Sequence, residues 1–335
     1  MKFNRLLLTT GLVLAGSLVG CGSTEAEVQV GTGYVASFSD STLNETLVSV
    51  VMKDGKVLKA DIDVLQVKIA AEESEITSGN ETKAAYAYSA VDVRSKVEKG
   101  DYYGMSKAGK TEYYKQIENL EAALVGKTAD EVANAEEKSG FTGVSISTVD
   151  HKAAFAKAVA NAKTVKVADY NALKLGVAFY VGTKSSTVET TKNFEFAVDF
   201  ASSLTDGTNV LASYVDNLTV PVNAEFVKAT KAEEQDYYKS VLATGTKYEV
   251  DGVLTSKRDL GSAYGMKTYG GNYEWNEQAA AFDAYFETKT IKELSDLTLE
   301  KGAVTGTSIT PNNTVAAAKK AAEYSLLTTA IIAGK

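Results

Sequence analysis

The chain repeats itself, and this repetition constrains its fold more than any other feature. The triplet Tyr103-Gly104-Met105 recurs as Tyr264-Gly265-Met266 at an offset of 161 positions. Further along, the segment Thr142–Ser147 recurs as Thr305–Thr310 at an offset of 163. Since the matching blocks keep their order and slip by only single residues, the sequence predicts a tandem duplication of one module. We place the modules at residues 28–165 and 170–330, with the boundary near 163–171.

The first part of each module has the pattern of antiparallel strands. Apolar residues alternate on both sides of Asp54-Gly55, and again on both sides of Asp206-Gly207. An Asp-Gly pair between two such runs is a strong signal for a β-hairpin. The predicted strands are Leu47–Met52 and Val57–Val67 in the first module, and Phe194–Phe200 and Val210–Val222 in the second.

The second part of each module has helical periodicity. An apolar stripe with steps of three and four residues is formed by Tyr113, Gln116, Leu120 and Leu124, and its counterpart by Trp275, Gln278, Phe282 and Phe286. Alanine-rich helices are predicted at His151–Lys163 and Thr314–Tyr324, the second with Thr310 as N-cap and Pro311 at the first helical position. Each module therefore combines an antiparallel sheet with packed helices, and the predicted fold class is α+β.

The N-terminus has the three parts of a bacterial lipoprotein signal. The positively charged residues Lys2 and Arg5 precede an apolar stretch, Leu6–Ala15, which is too short to span a bilayer. Leu18-Val19-Gly20-Cys21 has the small residues before a cysteine that are typical of a lipid-attachment site. We predict a signal peptide at 1–20, lipidation of Cys21, and an anchor and linker over 21–27. The mature protein would be held on the extracellular face of the cell membrane by acyl chains in the lipid bilayer.

Composition argues against several classes of function. A formal net charge of -8 gives no long-range attraction to nucleic acid. His151 is the only histidine and Cys21 the only cysteine, so the chain has no ligand set for a transition metal and no Cys-x-x-Cys-His haem site. A Ser-His-Asp triad could exist in one module only, because Thr314 takes the place of His151 in the other. We therefore assign no catalytic residue.

The repeated loops at 142–147 and 305–310 are the most informative local pattern. In each loop a glycine, Gly143 or Gly306, is followed two residues later by a serine, Ser145 or Ser308, and then by a predicted helix. Glycine lets a bulky group approach the backbone, and a helix N-terminus favours a phosphate. The same residues also suit a simple capping turn. The residues alone leave both interpretations open.

These loops resemble the flavinylation motif of the FMN-binding domain family. That motif consists of Asp, two variable residues, Ser or Thr, Gly, a small residue, and Thr or Ser. Together with the lipobox, the tandem layout and the Tyr-Gly-Met triplets, the loops are similar to those of duplicated surface flavin lipoproteins of Gram-positive bacteria. The resemblance implies FMN joined through its phosphate, as a phosphoester, to Ser145 and Ser308, in loops that include Thr142, Gly143, Thr305 and Gly306.

The resemblance also implies a membrane-anchored electron carrier. FMN would do the redox chemistry, taking electrons from a membrane donor and passing them to an extracellular acceptor, and a separate FMN transferase would attach it. Candidates to line the isoalloxazine ring are Tyr102, Tyr103, Met105, Tyr264 and Met266, which turn or core positions explain equally well. Gln116 and Gln278 place an amide in each apolar stripe. A buried amide needs partners, which could come from the backbone or from the flavin.

Two departures from the family pattern support a different function. Serine stands in both loops where the family usually has an acceptor threonine, and the leading Asp is replaced by Ser139 and by Gly302. The alternative is a non-enzymatic surface lipoprotein whose modules keep the family fold, bind no FMN, and act in ligand binding or interaction. A third hypothesis gives the released signal fragment, Leu6–Gly20, a role as a peptide pheromone.

Overall fold

The computed structural model describes residues 25–137, 140–250 and 253–335. The predicted signal peptide, Cys21 and Ser139 lie outside the described residues. The fold is α+β, as predicted, with a large antiparallel sheet and helices packed on it. In the described part of the chain, no helix combines the length and the apolar character needed to cross a membrane.

The strands come in two groups along the chain. The first group is β1 (Ala26–Ser39), β2 (Thr42–Lys53), β3 (Lys56–Ser78) and β4 (Glu81–Val91). The second group is β5 (Lys163–Val167), β6 (Lys174–Val181), β7 (Ser185–Glu189), β8 (Phe194–Thr205), β9 (Val210–Val227), β10 (Tyr237–Leu242), β11 (Glu249–Val250) and β12 (Val253–Leu254). Among the described residues the main sheet has the order β5-β1-β2-β3-β10-β9-β8-β6, while β4 pairs with β3 and β7, and β11 pairs with β12.

Helices follow each group of strands. The first group is α1 (Lys96–Lys99), α2 (Tyr113–Leu124), α3 (Ala129–Ala133) and α4 (Val149–Ala160). The second group is α5 (Lys257–Leu260), α6 (Trp275–Phe286), α7 (Ile291–Ser295), α8 (Asn312–Tyr324) and α9 (Thr329–Ile332). Short 3-10 turns precede α2 and α6, at Gly100–Tyr103, Met105–Ala108, Gly261–Tyr264 and Lys267–Tyr269.

Both predicted hairpins are confirmed. Strands β2 and β3 meet at Asp54-Gly55, where φ angles of 53° and 76° give the left-handed conformation that a tight two-residue turn requires. Strands β8 and β9 are joined by a longer turn, in which Asp206 Oδ1 accepts hydrogen bonds from the backbone N–H of Thr208 (2.8 Å) and Asn209 (2.7 Å). The strands extend past the predicted limits, because flanking residues without clear alternation still pair with a neighbouring strand.

The sheet has an apolar core on each of its two faces. We call residues 28–165 the first half of the chain and residues 170–330 the second half. Leu43 and Leu47 of β2 pack in one cluster with Phe196 and Phe200 of β8, so strands from the two halves share a core. Val48 and Val50 of the same strand face the other way and pack in a cluster with α2 and α4. Because successive side chains of a strand point to opposite faces, β2 serves both cores and is buried along most of its length.

Glycines allow two helices to lie close to the sheet. At Gly31 in β1, an added Cβ would collide with the backbone carbonyl of Ala158 in α4. At Gly176 in β6, it would collide with the backbone carbonyl of Ala321 in α8. Glycine is therefore required at both positions by the distance between helix and strand.

Each half contributes a lysine to an ion pair with the other half. Lys157 of α4 lies 3.8 Å from Asp259 of α5, and Lys320 of α8 lies 2.5 Å from Glu98 of α1. A tyrosine hydroxyl adds a hydrogen bond in each case, from Tyr34 to Asp259 (2.9 Å) and from Tyr324 to Glu98 (2.5 Å). The Glu98 side chain is 7% exposed and that of Asp259 35%, so the pair of Glu98 is both shorter and more deeply buried.

Two helix starts differ from the sequence predictions. The prediction of Thr310 as N-cap is wrong: α8 begins at Asn312, and the Pro311 carbonyl accepts the first helical hydrogen bond, from Val315 N–H (2.8 Å). Thr310 is exposed and one residue too far from the helix to cap it. Helix α4 begins at Val149, two residues earlier than predicted.

Candidate functional site

The two repeated loops lie in equivalent places, each between a short helix and a long one. Loop 1 (residues 142–147) connects α3 to α4, and loop 2 (residues 305–310) connects α7 to α8. Gly143 and Gly306 both have left-handed backbones, with φ angles of 77° and 86°. This conformation favours glycine, and at Gly143 an added Cβ would also lie 2.7 Å from Asn119 Nδ2. The glycine of each motif is thus explained by backbone geometry.

A buried glutamine holds the serine of loop 1. Gln116 Oε1 accepts hydrogen bonds from the backbone N–H of Ser145 (2.7 Å), the N–H of Ile146 (3.1 Å) and the Ser145 hydroxyl (3.1 Å). Gln116 Nε2 donates to the Thr111 carbonyl (2.7 Å) and to Met105 Sδ (3.8 Å). One fully buried side chain therefore connects the serine loop to the Tyr-Gly-Met segment.

Gln278 makes the same set of contacts at loop 2. Its Oε1 accepts from the N–H of Ser308 (2.7 Å), the N–H of Ile309 (3.0 Å) and the Ser308 hydroxyl (3.4 Å). Its Nε2 donates to the Tyr273 carbonyl (3.2 Å) and to Met266 Sδ (3.4 Å). The two glutamines, which the sequence left unassigned, are therefore bonded to the backbone of both loops.

A buried glutamate orders each Tyr-Gly-Met segment. Glu112 accepts hydrogen bonds from the N–H of Met105 (3.1 Å) and Ser106 (2.8 Å), and Glu274 accepts from the N–H of Met266 (2.9 Å) and Lys267 (3.1 Å). Burial works against the charge of Glu112, but the bonds from Ser106 and Met105 hold its pKa below the usual range. The sequence prediction missed both glutamates. The sequence did contain a signal for them, because each glutamate immediately precedes the first residue of its predicted helix, α2 or α6.

A cavity of about 290 Å³ lies next to loop 1. Ile146 and Ser147 form its border on the loop side, and Met105 and Tyr103 form part of its wall. The ammonium group of Lys96 also lines it and lies 5.3 Å from the ring centres of both Tyr103 and Tyr113. The cavity beside the loop of Ser145 therefore combines aromatic, thioether and cationic groups with the carboxyl group of Asp150.

Two titratable groups of this cavity, Lys96 and His151, are shifted toward their neutral forms. Burial and the neighbouring charge of Lys99 lower the pKa of Lys96 to about 8. Burial and the charge of Lys96 lower the pKa of His151 to about 4, so its ring is neutral at physiological pH. The Tyr113 hydroxyl lies 3.0 Å from His151 Nε2. The cavity wall thus carries one cation at most.

The surroundings of loop 2 differ. The Tyr264 ring is contacted by the ammonium group of Lys247, 4.0 Å from the ring centre, and by the ring of Tyr248, with centroids 6.2 Å apart. At the position equivalent to His151, the Thr314 hydroxyl donates to Asp199 (3.1 Å). Lys247 and Tyr248 therefore pack against the Tyr264 ring, whereas Tyr103, which has similar contacts with Lys96 and Tyr113, also borders a cavity.

The structure brings most of the predicted site residues together. Ser145 and Thr142 are exposed in loop 1, Thr305 is exposed and Ser308 half-buried in loop 2, and four aromatic and thioether candidates are half-buried beside the loops: Tyr103, Met105, Tyr264 and Met266. Tyr102 does not join them, since its side chain is 84% exposed and lies under Arg94. Tyr113 and Trp275 are buried in the helix stripes as predicted, and Tyr113 also lines the cavity.

Comparison with protein-family models, curated proteins and solved structures finds no significant match. The functional argument therefore depends on the loops and on the groups around them.

Proposed function

We propose that this protein is a membrane-anchored flavoprotein that carries FMN covalently on Ser145 and Ser308 and transfers electrons at the cell surface. The observation that carries the proposal is the exposed residue Ser145, whose hydroxyl is fixed by Gln116 next to a cavity lined by aromatic side chains and Lys96. An accessible serine on an ordered loop is what a modifying enzyme needs from its protein substrate. The repeat of the same contacts at Ser308 extends the proposal to a second flavin.

Attachment requires an activated phosphoryl donor, because serine does not esterify a free phosphate spontaneously. A flavin dinucleotide meets this need, since its FMN half is held in a pyrophosphate. The Ser145 Oγ–P bond would form, the P–O bond to the adenylate would break, and the hydroxyl proton would pass to a base on a separate FMN transferase. The product is a phosphoester, and the adenylate leaves with the electrons of the broken bond.

The groups around Ser145 suit a flavin chemically. Tyr103 and Met105 offer a flat ring and a polarisable sulfur to an isoalloxazine ring. Lys96 offers a positive charge, which would favour negative charge on the flavin or its phosphate. When bound, FMN supplies one- and two-electron redox chemistry that no side chain in the chain provides. Cys21 would hold the protein beside a membrane electron donor and expose it to an extracellular acceptor.

Intact mass and a visible absorption spectrum of the mature chain, coexpressed with an FMN transferase, test the proposal. We expect two added FMN units and flavin absorbance, one unit in each of Ser145→Ala and Ser308→Ala, and none in the double variant. Thr142→Ala is a control, because this exposed hydroxyl lies in the same loop and should leave both units in place. Unchanged flavin content in the double variant would refute the assignment.

The second candidate is a non-enzymatic surface lipoprotein that acts in ligand binding or interaction. It is favoured by the replacement of the leading Asp of the motif by Ser139 and Gly302, and by the contacts that Lys247 and Tyr248 make with the Tyr264 ring. A colourless protein with unmodified mass after coexpression with an active FMN transferase would support this candidate.

A further inference from the structure

We infer that Gln116 and Gln278 are positioning residues that aim the acceptor serines toward the incoming phosphoryl group. This inference rests on the proposed function, since it concerns the rate at which Ser145 and Ser308 are modified. Both glutamines are fully buried and belong to helix stripes whose other members are apolar or aromatic. An amide in such a stripe is costly unless all its polar atoms are bonded.

The orientation of each amide is fixed by its partners. The backbone N–H groups of Ser145 and Ile146 can only donate, so the amide atom that faces them must be the oxygen. The Thr111 carbonyl and Met105 Sδ can only accept, so the NH₂ group must face them. The amide therefore cannot flip, and Gln278 is locked in the same way.

This locked amide determines the direction of the serine hydroxyl. In the resting chain the Ser145 O–H donates to Gln116 Oε1, which holds Oγ against the fixed amide. When a transferase binds, the hydroxyl hydrogen turns from Gln116 to the base of that enzyme, while the bonds from the Ser145 and Ile146 N–H groups to Gln116 keep Oγ in place for the phosphorus atom. Because the loop backbone is tied to the same oxygen, the hydroxyl is held in one place before the transferase arrives.

The test is the rate of FMN transfer to each serine of the full mature chain, measured by peptide mass after brief incubation with an FMN transferase and a flavin dinucleotide. Gln116→Met keeps the length of the side chain and removes its acceptor. We expect Ser145 to be modified at least about tenfold more slowly, through kcat rather than through KM for the chain. Ser308 of the same molecules should be modified at the wild-type rate, which also shows that the variant is folded. Gln278→Met should give the mirror-image result.

Two further readouts separate positioning from a general structural effect. Amide hydrogen exchange should accelerate at Ser145 and Ile146 in Gln116→Met and stay unchanged at Ser308 and Ile309. In Gln116→Glu, an ionised carboxylate can still accept from the Ser145 and Ile146 N–H groups, but its second oxygen faces the Thr111 carbonyl with no hydrogen to donate. A protonated carboxyl group has a carbonyl acceptor and an O–H donor in the places of the amide groups. The ratio of Ser145 to Ser308 modification should therefore recover as the pH falls, whereas it should stay constant in the wild type.

The outcomes distinguish the inference from the proposed function. If the wild-type chain takes up no FMN, the proposed function fails and the inference fails with it. If both serines of the wild type are modified and Gln116→Met modifies Ser145 as fast as Ser308, only the positioning role is overturned. A selective loss at Ser145, with recovery in Gln116→Glu at low pH, supports both.

Discussion

Replacing Glu98 by glutamine should destabilise the protein more than replacing Asp259, its counterpart in the other half, by asparagine. Glu98 Oε2 accepts from the Ser95 backbone N–H (2.8 Å), while Oε1 accepts from the Tyr324 hydroxyl and pairs with Lys320. An amide has one acceptor atom, so the variant must turn its NH₂ group toward one of these two sets of donors. Either the cap of α1 or the contact between the halves is then lost.

The size of the effect follows from burial. Removing one partner of a buried ion pair costs about 3–5 kcal/mol, and an unsatisfied buried donor costs about 1–3 kcal/mol. Lys320 is 28% exposed and can regain water, so we expect Glu98→Gln to lose about 2–3 kcal/mol. Asp259→Asn breaks a pair at 3.8 Å that is worth up to about 1 kcal/mol, and asparagine can still accept from Tyr34.

Urea unfolding at neutral pH, followed by circular dichroism and by the fluorescence of Trp275, measures both variants. Trp275 is the only tryptophan and lies in the other half from Glu98, so a shared midpoint for the two probes also reports cooperative unfolding. Burial opposes the charge of Glu98, but Lys320 and Tyr324 hold its pKa below the ordinary value of 4.5. The stability that ionised Glu98 contributes is thus present above pH 4.5 and is lost as the pH falls below it. The difference in urea midpoint between the wild type and Glu98→Gln should therefore shrink at low pH. A Glu98→Gln midpoint at or above that of Asp259→Asn would refute the reasoning.

The remaining predictions concern proton uptake and close packing. Burial raises the pKa of Asp63 to about 7 and that of Asp199, Asp216 and Asp283 to about 6. As the pH falls below neutral, these four carboxyl groups bind protons in the folded chain before they do so in the unfolded chain, and together they outweigh His151, which binds a proton only in the unfolded chain over this range. The urea midpoint should therefore rise as the pH is lowered from neutral to about 5; a falling midpoint would contradict this. Gly31→Ala should cost about 3 kcal/mol, because its Cβ meets the α4 backbone. Gly55→Ala, with open space and a φ of 76°, should cost about 1 kcal/mol, and equal losses in the two variants would exclude the packing argument.

Local features of the fold were predictable from the sequence. Alternation around Asp54-Gly55 indicated the first hairpin, and the three- and four-residue steps from Tyr113 and from Trp275 indicated α2 and α6. These signals arise from neighbours along the chain. The pairing of β4 with β7, in which Ala85 lies opposite Glu189, joins residues that are far apart in sequence. No local periodicity encodes such a contact, so the order of strands in the sheet was not predicted.

The candidate site was predictable only in part, for a similar reason. The loop motifs gave Ser145 and Ser308, and the broken stripes drew attention to Gln116 and Gln278. The hydrogen-bond partners of the glutamines could not be predicted from the sequence, because they depend on how α2 and α6 are placed against the loops. Glu112 and Glu274 were missed, since a glutamate before a helix is ordinarily exposed and here folds back onto backbone N–H groups.

The ion pairs that Lys157 and Lys320 form between the two halves have a consequence for a chain cut by a protease between those halves. Lys157 and Lys320 each form an ion pair in the half to which they do not belong, and β2 and β8 cover each other's apolar side chains. A protease that cut the exposed residues between β5 and β6, around Asp169, would remove the covalent connection and none of these contacts. The two fragments should then remain associated through gel filtration and separate only in denaturant. The peptide link would thus serve chiefly to deliver both halves together during folding.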